Sequence, residues 1–275
     1  MTIDVDTHLQ PERHALGNSP TYRWSADTTT VDMSMPLPPV RRAQIACTPQ
    51  SLIVDLNRTA MIVIDMQNDF CAGTGWAATF GPDYLQARTP IAPLQKLLPA
   101  LRAASVPIIW LNWGNRPDLL NLPPSQIHIC KPDGSGLGFG DALPNGCGNV
   151  LQKDSWSAAV IDELQPHADD IHVDKTRISG FFDTPLDTIL RNLGVRTLLF
   201  AGVNTDQCVL CTLTDASFLG YGCVLLSDCC ATVSPSFCTA AAIWNVQRCL
   251  GFVSESHHVL DGLNEGGYCS HDADR

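Results

Sequence analysis

Along the chain, short runs of wholly apolar residues alternate with segments whose apolar positions recur every three or four residues. The run TAMIVID at 59–65 is followed by a helical stretch near 90–104 and then by VPIIWLN at 106–112, a strand, helix, strand unit. A second series opens with IHVD at 171–174 and continues through TPLDTILRNLG at 184–194. There Thr184 is placed to cap a helix, Pro185 suits its first turn and Gly194 ends it. The strand RTLLFAGV at 196–203, a helix from about 206 to 219, the strand CVLLSD at 223–228 and a helix near 236–250 complete the series. Strands apolar on both faces belong in a sheet covered on both sides, so the expected fold class is α/β with a mostly parallel sheet between helices.

The ends read differently. Residues 1–50 are rich in Pro, Thr, Asp and Ser, and MSMPLPPV at 33–40 favours extended or polyproline backbone. They are expected to form an arm, free or wrapped on a neighbouring subunit, with the main domain at 51–262 and a polar tail at 263–275. Residues 113–155 are rich in Gly, Pro and Asn and show little periodicity. So long a loop points to a binding lid, with a surface excursion or an oligomer contact as the alternatives.

Composition narrows the function classes. With 275 residues, 45% of them hydrophobic, the chain can bury one sizeable core. Its 28 acidic against 17 basic side chains give a formal charge of −11, which works against nucleic acid or an anionic membrane as partner. No apolar run reaches the length of a membrane span and the first thirty residues show no leader pattern, so a cytoplasmic location is expected. The 12 cysteines mostly sit in apolar segments such as GYGCVLLSDCC, where a reduced core thiol is the ordinary role.

In an open parallel sheet, ligands bind at the carboxyl ends of the strands, so polar residues just past those ends are the candidates for chemistry. Asp65 ends MIVID, Lys175 follows IHVD, and Cys208 follows LLFAGV after a short turn. A thiol in the first turn of a helix, beside an ammonium, is expected to ionise near neutral pH and act as a nucleophile. A carboxylate beside it would shuttle the proton, and backbone amides of the turn VNTDQC would face a developing oxyanion. Taken singly, Asp65 reads equally well as structural and Lys175 as a solvated charge.

The blocks AMIVIDMQNDFC, DKTRISGFFDTPLDTILRNLGVRTLLFAGVNTDQCV and GYGCVLLSDCCAT resemble, in order, the three signature blocks of the isochorismatase-like cysteine hydrolases. The likeness spans roughly residues 57–256. It implies a Rossmann-like three-layer fold, a catalytic triad of Asp65, Lys175 and Cys208, a cis peptide between Val203 and Asn204, and an oxyanion hole from the amides of Asn204 and Cys208. Within the superfamily, DSWSAAVIDELQP and SGFFDTPLDTIL are similar to ureidoacrylate amidohydrolases, and GNRPDLLNLP to biuret hydrolases. Ile178 stands where the former tend to have tyrosine. The resemblance implies hydrolysis of a C–N bond in a small linear ureido or amide compound through a thioester, no cofactor, and a homo-oligomer. It places Phe70 in the pocket wall, while Trp113, Asn115 and Arg116 are candidates to hold the far end of the substrate. Arg177 is a candidate carboxylate ligand or a surface ion pair.

Several competing readings are weaker. Nicotinamidases carry an Asp and two His after the second strand, but NWGNRPDLLN has no histidine, so no catalytic metal is expected. Isochorismatases proper lack the cysteine nucleophile. Cys208 and Cys211 form a C-x-x-C, which could be a redox pair, but Cys211 one turn on reads as packing. Cys229 and Cys230 read as small apolar residues rather than a switch, and His128 with Cys130 as loop surface rather than metal ligands. A non-catalytic scaffold would have no need to keep all three reactive groups.

Overall fold

A computed structural model describes residues 12–265 apart from Pro20, Pro36 and Leu37. The first residues of the expected arm and residues 266–275 of the expected tail lie outside the described residues. The rest of the arm carries regular structure. β1 (His14–Leu16), β2 (Trp24–Ala26) and β3 (Val31–Asp32) form an antiparallel meander, anchored where the Thr21 hydroxyl donates to the Leu193 carbonyl at 2.8 Å. β4 (Arg42–Ile45) pairs antiparallel with β5 (Leu52–Asp55), so the boundary expected at residue 50 falls inside a hairpin. Buried Ala43 and Ile45 alternate with exposed Arg42 and Gln44, a period of two that gives β4 one core face.

The six remaining strands, β6 (Thr59–Ile64), β7 (Ile108–Trp113), β8 (Ile171–Lys175), β9 (Thr197–Val203), β10 (Gly222–Ala231) and β11 (Phe252–Ser254), form one parallel sheet in the order β11-β10-β9-β6-β7-β8. This is the doubly wound 3-2-1-4-5-6 order, and the direction of winding reverses between β6 and β9. Every residue of β6 and β7 is buried, as the unbroken apolar runs require. Connecting and flanking helices are α1 (Asn68–Cys71), α2 (Ile91–Ala103), α3 (Pro124–Cys130), α4 (Leu186–Asn192), α5 (Leu210–Phe218), α6 (Ser236–Asn245) and α7 (Ser256–Glu265).

Two cores result, one on each face. Met61 and Val63 meet Leu94, Leu97, Leu98 and Leu101 of α2 and Val259 of α7. Ile62, Ile64 and Phe200 meet Leu186 and Leu190 of α4 and Leu213 of α5. Each such side chain stabilises the fold by about 1.5–3 kcal/mol on burial. The helix signals read from the sequence hold with a shift of one residue at the start: α4 begins at Leu186 with Pro185 just before its first turn, the Thr184 hydroxyl accepts the Leu186 N–H at 3.2 Å, and Gly194 takes φ +70, the left-handed turn that glycine enters without a Cβ penalty. Three elements differ from the pattern. The helix expected from 206 begins as a π-helical turn (Thr205–Val209), α6 runs into a second such turn (Val246–Leu250), and β10 extends through Cys229 and Cys230 after a register shift against β9. α7 also reaches past residue 262, where the tail was expected to begin. Among the described residues no helix is long and apolar enough to cross a membrane.

Candidate active site

The reversal of winding decides where the chemistry can sit. Asp65 directly follows β6, and Cys208 lies in the π-helical turn after β9, so the two flank the switch point. Asp65 has φ +53, a left-handed conformation that costs a non-glycine residue of order 1 kcal/mol and is held by its N–H donating to the Leu111 carbonyl at 3.0 Å. At Gly202 of β9 φ is +116, and a Cβ there would fall 2.0 Å from the Ile64 carbonyl oxygen of β6. The peptide Val203–Asn204 is cis. Lys175 ends β8, two strands from β6, a separation of roughly 9–10 Å that a long lysine stem is suited to bridge.

The three side chains converge. Lys175 Nζ lies 2.7 Å from Asp65 Oδ2, 3.3 Å from Cys208 Sγ and 4.6 Å from the centroid of the Trp113 ring. Asp65 and Lys175 are each 1% exposed and Cys208 7%. Asp65 Oδ1 accepts the Trp113 N–H at 2.9 Å, which is shared with Gln67 Oε1. Beyond the Lys175 ammonium, with which it forms an ion pair, Oδ2 has no hydrogen-bond partner among the described residues. A buried carboxylate oxygen with a free lone pair is an acceptor in waiting, and the neighbouring thiol proton is what it can take.

The electrostatics correct one expectation. The Cys208 thiol is not ionised near neutral pH: burial, with the Asp65 charge added, pushes it up to about 12, against the pull of Lys175. Burial draws the Lys175 ammonium down, but Asp65 and Cys208 outweigh it and hold its pKa above the usual lysine range. A thiolate would be a second buried anion against one cation, whereas the ion pair beside a neutral thiol leaves no net buried charge. The nucleophile is therefore formed only as Asp65 takes the proton.

The segment 113–155, expected to be a lid, folds around a small core of its own. Trp113, Leu122, Phe139, Leu143, Val150 and Leu151 pack together, with Phe70, Trp76 and Ile178 against them. Trp113 stacks on Phe139 at 4.8 Å between centroids, and Trp76 meets Phe139 at 5.5 Å. The segment Gln67–Asp69 ties this lid to β6. Gln67 Nε2 donates to the carbonyls of Trp113 at 2.8 Å and Ala158 at 2.6 Å, and Asp69 accepts the N–H groups of Leu151 at 2.7 Å and Trp76 at 3.1 Å. The sequence reading missed these two residues. Their signal was available, as polar residues in a row straight after a buried strand, but their partners lie up to 91 positions away.

The expected substrate-binding residues separate into two groups. Trp113 covers Lys175, and Phe70 is half-buried at the lid edge, 6.4 Å from Trp76. Asn115 is not available to a substrate: it is fully buried, its amide donating to Val150 and accepting from Trp113 Nε1 at 2.7 Å, so it is a strut of the lid. Arg116 pairs with Asp118, and Arg177 with Asp183; both open onto a groove of about 610 Å³ lined by Leu120, Asn121 and Lys153 of this segment together with Asp174 and Thr176, which none of the triad lines. Asn204 accepts through its carbonyl from the amides of Gln207 and Val209, fixing the turn that carries Cys208. The 11 cysteines among the described residues are all free thiols, and no group of three potential metal ligands occurs among the described residues.

The isochorismatase domain model matches residues 59–258, which holds the whole sheet and all three convergent side chains. The chain belongs to the isochorismatase family. In architecture and site composition it is a cysteine hydrolase of that family. A cysteine hydrolase from Pseudomonas syringae pv. phaseolicola 1448A is 29% identical, with a TM-score of 0.66 over 78% of this chain and 95% of that one. An isochorismatase family protein from Desulfovibrio vulgaris subsp. vulgaris str. Hildenborough is 25% identical, with a TM-score of 0.61 over 75% and 98%. The N-carbamoylsarcosine amidase from Thermoplasma acidophilum is 27% identical, with a TM-score of 0.56 over 72% and 96%.

Proposed function

We propose that the protein is an amidohydrolase that cleaves a C–N bond of a small linear ureido or amide compound through a thioester on Cys208. The observation that carries this reading is the single ammonium of Lys175 in contact with both Asp65 Oδ2 and Cys208 Sγ, at 2.7 and 3.3 Å. The similarity to an N-carbamoylsarcosine amidase, which acts on a carbamoyl group, supports the substrate class.

The steps follow from the protonation states. Asp65 takes the thiol proton as Sγ bonds to the carbonyl carbon, and the carbonyl oxygen becomes an oxyanion facing the amides of Asn204 and Cys208. The C–N bond breaks as Asp65 returns that proton to the departing nitrogen, which leaves as ammonia or an amine. A water then adds to the thioester and gives a proton to Asp65; the C–S bond breaks, and the sulfur recovers the proton. Lys175 stays charged throughout, orienting Asp65 and offsetting the negative charge that passes between oxygen and sulfur. Trp113 roofs the ammonium and, with Phe70, forms the apolar side of the pocket.

Ammonia release from ureidoacrylate, biuret, guanylurea, N-carbamoyl amino acids and nicotinamide tests the reading. Turnover of at least one of the first four, abolished in Cys208→Ala, is expected. Turnover of nicotinamide alone moves the assignment to another amidase of the family, and activity surviving in Cys208→Ala refutes the role of the sulfur.

A further inference from the structure

Thr212, in α5 one turn beyond Cys208, uses its hydroxyl both as donor and as acceptor. Its Oγ1 donates to the Cys208 carbonyl at 2.6 Å and accepts the Gly180 N–H at 3.1 Å, and the residue is wholly buried. The first bond is ordinary, since a helical threonine commonly donates to the carbonyl four residues back. Thr214, on the same helix, makes that bond alone, to the Leu210 carbonyl at 2.7 Å. The second bond crosses to another element, the loop that carries the chain from Lys175 to α4.

That loop collars the ammonium. Lys175 Nζ donates to the Arg177 carbonyl at 3.4 Å as well as to Cys208 Sγ at 3.3 Å. Three residues on, Gly180 is buried and pressed against β7, where a Cβ would fall 2.2 Å from Leu111 Cδ2. Its N–H is shut off from water and needs the acceptor that Thr212 supplies. Ile178, between Arg177 and Gly180, packs against both the sheet core and the core of the 113–155 segment. Among the described residues, the Gly180–Thr212 bond is the one hydrogen bond between residues 176–184 and residues 204–218.

We propose that Thr212 is a positioning residue for the hydrolysis: one hydroxyl, bonded to the nucleophile's own carbonyl and to the loop that ligates Lys175, sets the separation of ammonium and sulfur. The inference rests on the reading of Cys208 as the nucleophile. Thr212 acts through Cys208 and Lys175 and not on the reacting atoms, so its effect is electrostatic. Lys175 Nζ stands 3.3 Å from the sulfur. At an effective dielectric constant of about 20, moving it out by about 1 Å lowers the thiolate population at fixed pH ~fivefold to tenfold. The same loss weakens the sulfur as it ionises on the way to the thioester.

Alkylation of Cys208 by iodoacetamide, read by mass spectrometry of its peptide and normalised to exposed Cys249, tests this on the full chain. It needs no substrate, so its outcome is separate from the ammonia-release test of the hydrolysis. Thr212→Val keeps the shape and removes the hydroxyl. It is expected to slow Cys208 labelling ~fivefold to tenfold in protein with wild-type circular dichroism, and to lower kcat for ammonia release in step while KM holds. Thr212→Ser, which keeps the hydroxyl, is expected to recover most of the rate, and Thr214→Val, which loses only the bond to Leu210, to label as the wild type does. Thr212→Ala, with room for a water at the Gly180 N–H, is expected to slow labelling in the same direction and stands in for the valine variant should that one not fold. Loosening of the fold exposes the sulfur and speeds labelling, so a Thr212→Val protein that labels as fast as the wild type or faster overturns the proposal. Labelling as slow in Thr212→Ser as in Thr212→Val, or equally slow in Thr214→Val, overturns it too, because the bridging hydroxyl is then not what sets the rate.

Discussion

Replacing Asp65 by Asn removes the proton acceptor, yet it should make Cys208 easier to ionise. In the wild type the thiolate is opposed by burial and by the Asp65 charge and favoured by Lys175 at 3.3 Å. At that distance, with an effective dielectric constant of about 20, one ammonium attracts a thiolate by about 5 kcal/mol. The Asp65 carboxylate, which contacts the same ammonium at 2.7 Å, opposes ionisation on a similar scale. A quarter of that energy is about one pKa unit, so Asp65→Asn should bring the thiol down from about 12 by at least one unit. Alkylation by iodoacetamide at fixed pH, read by mass spectrometry of the Cys208 peptide and normalised to exposed Cys249, is then expected to rise at least ~tenfold while ammonia release stops. Lys175→Met should slow the same labelling. Both variants break a buried ion pair and should lose about 3–5 kcal/mol of stability, so the opposite signs of the labelling change separate electrostatics from loosening of the fold. Equal acceleration in both variants would refute the electrostatic account, and continued hydrolysis in Asp65→Asn would refute the role given to the carboxylate.

Three other outcomes are expected. Gly202→Ala places a Cβ 2.0 Å from the Ile64 carbonyl at φ +116, so it should cost at least ~2 kcal/mol in chemical denaturation and depress activity by displacing Asp65; wild-type stability would show that β9 shifts freely. Burial lifts the Asp69 carboxyl from its ordinary 3.8 to about 6. The folded chain thus binds that proton more tightly than the unfolded one, so this group's contribution to stability falls by up to ~3 kcal/mol as pH rises from about 4 to about 6 and is level above. Asp69→Asn should flatten that slope, and an unchanged profile would contradict it. Cys211→Ser should retain turnover under oxidising and reducing conditions alike, and a redox-dependent loss in the wild type that this variant abolishes would revive a dithiol role.

Much of this was legible in the sequence because it is local. The runs at 59–65 and 106–112 are buried on both faces in β6 and β7, and no short polar or amphipathic alternative fits such runs. Asp65, Lys175 and Cys208 were found because strand ends are where an open sheet binds ligands. What stayed hidden depends on contacts distant in sequence. The Ala43 and Ile45 alternation covers only four residues beside a proline-rich stretch, too short for periodicity to override composition. Asn115 looked free because polar loop residues usually are, but its partners Val150 and Leu151 are 35 or more positions away and meet it only in the folded segment. The protonation of Cys208 was misread because a helix start and a lysine were weighed without the burial that the folded lid imposes.

The central claim is that Cys208 carries the acyl or carbamoyl group between two halves of a hydrolysis. Rapid acid quench during turnover of the best ureido substrate, followed by mass spectrometry of the Cys208 peptide, measures this directly. The account predicts an adduct on that sulfur, equal in mass to the substrate less its leaving amine, that forms and decays at rates matching ammonia release and is lost in Cys208→Ala. Ammonia release at full rate with no adduct at Cys208, or with an adduct on any other residue, would contradict it.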